Sequence, residues 1–452
     1  MEFKSAFDMP RRHSLALCVA LCATGALPSA AQADDAFGTN SRWMTGDWGG
    51  LRTDLLAKGV DIKMGYVGES ASALRGGYNR GEHATRYSDQ FNLGADIDLS
   101  KLLGWEDALF SISVNNRNGD ELGEKIDDPR AHGMGSYQEV NGRGSVTRLG
   151  ELWLSKGWFD DTVNVKAGRF AVSDEFATED CVFQNLAFCG SQPGNYVDSI
   201  YNGPISQWAA RLRVRLAEGL HAQIGAFNVN PSNLDNDNGF KLNGAGTTGT
   251  LVPVELIWTP KVDGLPGEYR IGYYHSTANG TDVYKDNNGQ PAVLSGNDYR
   301  SDSSRHGFWW VGKQQLTSVN GDASRGLTLT SSVSFYDKAT TPVDSYQKVS
   351  LIYQGPFDAR PADALGFGVA RVHASSRFLR NATTANAQSG LSYVDTGYVP
   401  EQHSMYVAEL NYRVQATRWL SVMPNLQYVK HPDGVREVAN ALVLGVQVQS
   451  QF

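Results

Sequence analysis

The chain ends in ANALVLGVQVQSQF. At a period of two this places Leu442, Leu444, Val446, Val448 and the terminal Phe452 on one face, and Gln447, Gln449 and Gln451 on the other. A last strand that is apolar on one side, polar on the other and closed by Phe is what an outer-membrane β-barrel requires, because lipid-facing and lumen-facing residues must alternate. After its first 33 residues the chain has no apolar run near the roughly 20 residues that a membrane-crossing helix needs. The mean hydropathy of −0.35 agrees with a barrel, whose hydrophobicity sits only at alternate positions.

The front of the chain carries Lys4, Arg11 and Arg12, then an apolar run over 15–27, then Ala31, Gln32 and Ala33 before Asp34. This is the pattern of a secretory signal peptide over 1–33, with the mature protein starting at Asp34. A run of about 13 apolar residues is too short to anchor in a bilayer. Residues 34–59 are expected to form a periplasmic lead-in. Within it GDWGGLRTDLLAKG predicts a short helix with Trp48, Leu51 and Leu55 on one face and Gly59 as its stop. Residues 60–452 form the barrel, in one domain with the lead-in.

The clearest strand is QWAARLRVRLA, where Trp208, Ala210, Leu212, Val214 and Leu216 oppose Arg211, Arg213 and Arg215. An Arg facing lipid at mid-membrane costs about 2 to 4 kcal/mol, so this row must face the lumen. The same test predicts strands near 60–70, 91–99, 109–118, 147–156, 163–170, 207–216, 221–229, 251–259, 269–277, 307–317, 326–336, 346–354, 365–374, 403–415, 419–428 and 440–452. The expected fold is therefore all-β: a transmembrane antiparallel barrel of about 16 strands, an even number that leaves both termini on the periplasmic side. Connections after odd-numbered strands are mostly long, as at 119–146, 171–206 and 278–306, and those after even-numbered strands mostly short, as at 218–220 and 417–419. Long outer loops and short periplasmic turns are the porin arrangement. The outer connections around Thr340 and Pro432 are short exceptions.

No nucleophile, phosphate-binding or zinc-protease motif appears in a suitable context. Asp235 to Gly239 resembles the start of a calcium loop, but Gly246 stands where the bidentate Glu belongs, so a solvated loop is expected. Nine histidines lack ligand spacing, and the acids Asp127 and Asp128 read as surface charge. No metal or cofactor is expected. A net charge of −8 argues against a nucleic-acid partner. Cys181 and Cys189, the two cysteines left after signal removal, are expected to pair in an oxidising compartment and brace a loop, by roughly 2.5 kcal/mol.

Lumen-facing positions carry Asp96, Asn115, Arg117, Lys166, Arg211, Arg213, Arg215, Glu255, Glu409, Arg413 and the terminal Gln row. Mixed charges and planar amides offer the donors and acceptors that replace water around a small neutral polyhydroxylated solute. Each of these residues also has a plainer role open to it, supporting the wall.

A set of segments in order, WMTGDWGGLRTDLLAKGVD, LGWED, NRNGD, QEVNGRG, CVFQNLAFCGSQPGN, YNGPISQW, PVELIWTPK, LPGEYRIGYYHST, DKAT, PFDARP and PNLQYVKHPDG, resembles the OprB-type carbohydrate-selective porins across the mature chain. The resemblance implies a monomeric 16-stranded barrel in the outer membrane of a Gram-negative bacterium. Its outer loops would narrow it to a constriction that passes glucose and related sugars by passive diffusion. It further implies that Arg117 and Glu139 line the constriction, with Arg143 as a further candidate. In YNGPISQW this chain has Gly203 where the family pattern places a Trp, which implies a wider or less glucose-selective eyelet, with Tyr196 or Tyr201 as substitute rings. Expected partners are small neutral sugars, outer-membrane lipid and lipopolysaccharide, and the barrel-assembly machinery through Phe452. The alternatives are a poorly selective diffusion porin, an outer-membrane barrel enzyme and a soluble carbohydrate-binding β-sandwich.

Overall fold

The structure, a computed structural model, describes residues 35–81, 83–141, 145–302 and 305–452. The expected signal peptide and Arg143 lie outside the described residues. The sixteen long strands among the described residues are β1 (Val60–Gly77), β2 (Thr85–Asp98), β3 (Ala108–Gly119), β4 (Val146–Trp158), β5 (Val163–Phe170), β6 (Gln207–Ala217), β7 (Leu220–Val229) and β8 (Gly249–Trp258). They continue with β9 (Leu265–Ser276), β10 (Arg305–Gln315), β11 (Gly326–Tyr336), β12 (Val343–Gln354), β13 (Ala364–Ala374), β14 (Ser404–Gln415), β15 (Leu420–Lys430) and β16 (Ala439–Gln451). A two-residue strand, Lys261–Val262, sits in one periplasmic turn.

Each long strand pairs antiparallel with its neighbours in sequence, and β16 returns to pair with β1. The closing register sets Glu69 opposite Gln447 and Gly65 opposite Gln451. Closure leaves no sheet edge to present unpaired backbone to lipid, the condition for a strand protein to cross a bilayer. Outward side chains form the apolar coat this requires: Leu212, Ile224, Leu256, Ile271, Phe367, Leu410, Leu426 and Leu444 are all exposed. Of the strands, β5 and β11 have the bounds that alternation predicts. β1 runs on past residue 70 to Gly77 and β2 starts at Thr85, because SASALRGG and TRYSDQ lack apolar alternation yet still complete the ladder.

The lead-in helix α1 (Leu51–Ala57) forms, but it docks by a different face from the predicted one. Leu51 is 55% exposed and Trp48 39%, while Arg52 is buried. Arg52 donates one guanidinium nitrogen to the carbonyl of Phe452 and another to that of Ile62, and lies 4.1 Å from the Trp43 ring centroid. A cation that satisfies carbonyls on both strands of the β1–β16 seam outweighs two apolar side chains that find no surface to cover. Phe452 itself turns its ring outward, 5.8 Å from Phe91.

The interior is not uniformly polar. The connection over 171–206 folds into the lumen and brings an apolar core with it: Phe176, Phe183 and Phe188 are buried against Phe170, Phe227 and Val372 from the wall. Phe183 and Phe188 pack with ring centroids 4.7 Å apart. Cys181 and Cys189 form a disulfide across this turn, as expected from their pairing in the chain. Removing these rings from water is the main reason the loop stays inside the barrel.

Candidate functional site

Inward-pointing strand residues hold the loop by its backbone. Glu409 accepts hydrogen bonds from the amides of Gln184 (3.0 Å) and Asn185 (2.8 Å). Glu255 accepts from the amide of Ala177 (2.9 Å) and from the Trp309 indole (2.8 Å). Asn185 in turn donates to Gln427 at 2.8 Å. These carboxylates are therefore fixed struts, with no open face toward the lumen.

The Arg row behaves in the same way. Glu175, at the start of the inward loop, accepts from Lys166 (2.8 Å), Arg211 (3.0 Å) and Arg213 (3.0 Å). Lys166 also lies 3.9 Å from the Trp153 ring centroid. Burial works to raise the Glu175 carboxyl, but the three cations outweigh it and hold it below the usual carboxylate range. Arg215 does not line the lumen: it is exposed at the periplasmic rim and donates to the Asp160 carbonyl and the Thr162 hydroxyl. Its phase is inward, but the strand has reached the barrel's end.

On the opposite wall, the connection between β3 and β4 descends beside β1 and β2. Gln138 donates to the Glu69 carbonyl (3.0 Å) and the Ser88 hydroxyl (2.9 Å), and the Val140 amide donates to the Glu69 carboxylate (3.2 Å). This places Glu139 next to Arg117, whose Nε donates to Gln90 Oε1 at 2.7 Å. Burial pushes the Glu139 carboxyl up, and the Arg117 charge opposes it. Arg117, Glu139, His132, Tyr196, Asn202 and Gly203 line one cavity of about 430 Å³ between the two inward loops. Gly203 leaves room there: a Cβ would meet nothing closer than Asp174 Oδ1 at 3.9 Å.

Besides Lys166, which is bound to Glu175, two candidates fall outside this cavity. Tyr201 is 1% exposed, with its carbonyl tied to the Val172 amide, because the loop folds back on itself at that point. Asp96 lies toward the periplasmic end, bonded to Lys63 and to Ser111 (2.7 Å). The register pairs Gln90 with Arg117 and Asp96 with Ser111, so about 20 Å of strand separates Asp96 from Arg117.

Sequence reasoning also missed two features. Asp127 and Asp128 are not surface charge: Asp127 accepts from the Tyr137 hydroxyl at 2.9 Å, and Asp128 is buried and grips Arg130 at 2.9 Å. Arg130 reaches on to the carbonyls of Tyr393 and Asp395, tying two outer loops together. The second feature is a cavity of about 470 Å³ on the periplasmic side, lined by Gln90, Asn92, Arg413, Gln415, Arg418 and Gln449 among others. Gln90 belongs to its wall while bonding Arg117, so the two cavities meet at that pair. The loop at Asp235 is also more than solvated, since Arg148 donates to the carbonyls of Asn233 (2.7 Å) and Leu234 (2.9 Å).

The arrangement is a barrel into which two loops fold, with an inner wall of fixed charges and amides. Among the described residues no cluster of potential metal ligands occurs.

The model of the carbohydrate-selective porin OprB family matches residues 82–452. Porin B of Pseudomonas aeruginosa is 51% identical over 455 residues, covering 100% of both chains. A putative porin, QuiX, of Acinetobacter baylyi is 38% identical over 431 residues, covering 93% of this chain and 95% of its own. A high-pH structure of Pseudomonas putida OprB superposes with a TM-score of 0.91 at 52% identity, covering 92% of this chain and 100% of that one. The relatives and the fold are those of channels, not enzymes, and a closed barrel of this kind resides in the outer membrane of Gram-negative bacteria. This chain belongs to the OprB family of carbohydrate-selective porins.

Proposed function

We propose that the protein passes monosaccharides, glucose and related sugars, by passive diffusion, and that it selects them at the cavity between Arg117 and Glu139. The observation that carries this reading is the pairing of opposite charges in one small cavity that the two inward loops border. There a neutral ring exchanges its water for directed hydrogen bonds, and with Asp198, the third charge of the lining, paired to Arg305, no net field favours an ion. The cationic row of β6 has no part in selection, since Glu175 already neutralises two of its members. Gly203 opposite this pair makes the eyelet tolerant of several pyranoses. The reading takes the barrel as a monomer set in lipid and lipopolysaccharide and assembled through Phe452.

Swelling of liposomes containing the pure protein tests it. Glucose and xylose are expected to enter several times faster than a disaccharide at equal osmolarity. Equal rates for all three would make it an unselective diffusion porin.

A further inference from the structure

The periplasmic-side cavity differs from the outer one in charge. Its lining includes two guanidinium groups, Arg413 and Arg418, and no carboxylate. Neither forms an ion pair among the described residues. Arg413 makes one hydrogen bond, 3.3 Å to Gln354 Oε1, and its Nε is buried without a partner. The Arg418 guanidinium has a single bond, to the Asn40 carbonyl at 3.3 Å. The cations of the opposite wall, by contrast, converge on Glu175. The neighbouring Lys63, whose charge Asp96 balances, does not alter the sign of the chamber.

Five side-chain amides, Gln90, Asn92, Gln415, Gln449 and Gln451, line the same space beside Trp419 and the hydroxyls of Ser421 and Ser450. A guanidinium fork matches a carboxylate in two parallel hydrogen bonds, and planar amides match hydroxyl groups as both donor and acceptor. An inorganic anion uses only the first, and a neutral sugar only the second.

We infer that this inner chamber is a binding station for hydroxylated carboxylates, sugar acids of monosaccharide size, with Arg413 and Arg418 taking the carboxylate and the amide row the hydroxyls. The inference requires only that the barrel is open to small solutes, and it stands apart from sugar selection at the outer pair.

Three probes added on the periplasmic side of single channels in a planar bilayer separate the outcomes: glucuronate carries both features, glucose only hydroxyls and acetate only charge. Glucuronate is expected to block the current at concentrations at least fivefold lower than glucose, with no block by acetate. Arg413→Gln is expected to bring glucuronate to the level of glucose, and Arg418→Gln, on an exposed turn, to reduce the difference should the first variant not assemble. Block by acetate equal to that by glucuronate would reduce the chamber to a simple anion site. Block by glucuronate no better than by glucose, or a preference untouched by both substitutions, would overturn the proposal. Glucose block from the loop side of the same channels reports separately on the outer pair.

Discussion

The two walls of the lumen carry similar cations and treat them in opposite ways. On the β5–β6 wall, Lys166, Arg211 and Arg213 close on Glu175 and are withdrawn from solute. On the wall made by β14 to β16 with β1 and β2, Arg413 faces an amide-lined chamber with no acid to meet it. A basic residue pointing into a pore is therefore a strut or a solute contact according to whether a loop delivers a carboxylate to it. Strand alternation carries no information on that delivery.

The largest effect that sharpens this contrast is expected from Glu175→Ala. Removing the shared acid leaves two buried cations, Lys166 and Arg211, and the half-exposed Arg213 uncompensated, which costs about 3 to 5 kcal/mol. Arg413→Gln removes a cation that has no acid partner and is expected to cost about 0.5 kcal/mol or less. Urea unfolding of both variants in detergent checks the pair, and equal destabilisation would erase the distinction between the walls. The acid's lowered pKa gives the sign with pH. Its contribution to stability is present above the ordinary carboxylate range and is lost as pH falls through the folded-state value.

The outer loops supply the next test, because beside the Asp128–Arg130 tie they have a latch, Asp433, with no ion pair among the described residues. Asp433 accepts from the Met134 amide at 2.7 Å. Burial pushes its carboxyl up to about 7 against that bond, and Glu121 and Asp128 add to the rise. A carboxyl whose folded value is raised favours the docked loop most at low pH. Docking is therefore expected to weaken as pH climbs from about 4 through 7. Between pH 6 and 8 the weakening amounts to about tenfold in opening of the 120–141 segment. Hydrogen exchange corrected for intrinsic rates measures it, and Asp433→Asn should reduce the dependence while keeping an acceptor for Met134, the remainder coming from Asp127 and Glu121, whose carboxyls burial also pushes up.

The smallest effect concerns Gly203. Its backbone and surroundings accept a side chain, so Gly203→Trp is expected to place a ring in the outer cavity and raise the preference for glucose over xylose about fivefold, equivalent to on the order of 1 kcal/mol. Relative swelling rates measure it, and an unchanged ratio would mean that this position does not face the passing solute.

Much of the fold was legible because a membrane imposes a strict period. Val163–Phe170 was read to the residue, and the even strand number followed from the same alternation. What stayed hidden depends on loops, which have no period. Nothing local in CVFQNLAFC announces that Phe183 and Phe188 build a core inside the barrel, nor does YNGPISQW announce that Tyr201 is buried away from solute. The Arg215 and Asp96 placements failed for another reason: period assigns a face but not a depth, so rim residues read like lumen residues. Arg52 replaced the predicted apolar face of the lead-in helix because its partners, the Ile62 and Phe452 carbonyls, come together only when the barrel closes.

Sugar recognition is proposed at Arg117 beside Glu139. Single-channel current with glucose added from the loop side tests it most directly. Concentration-dependent block is expected in the unaltered protein and loss of that block in Arg117→Ala, with the channel still conducting. Block of equal strength in Arg117→Ala would contradict it.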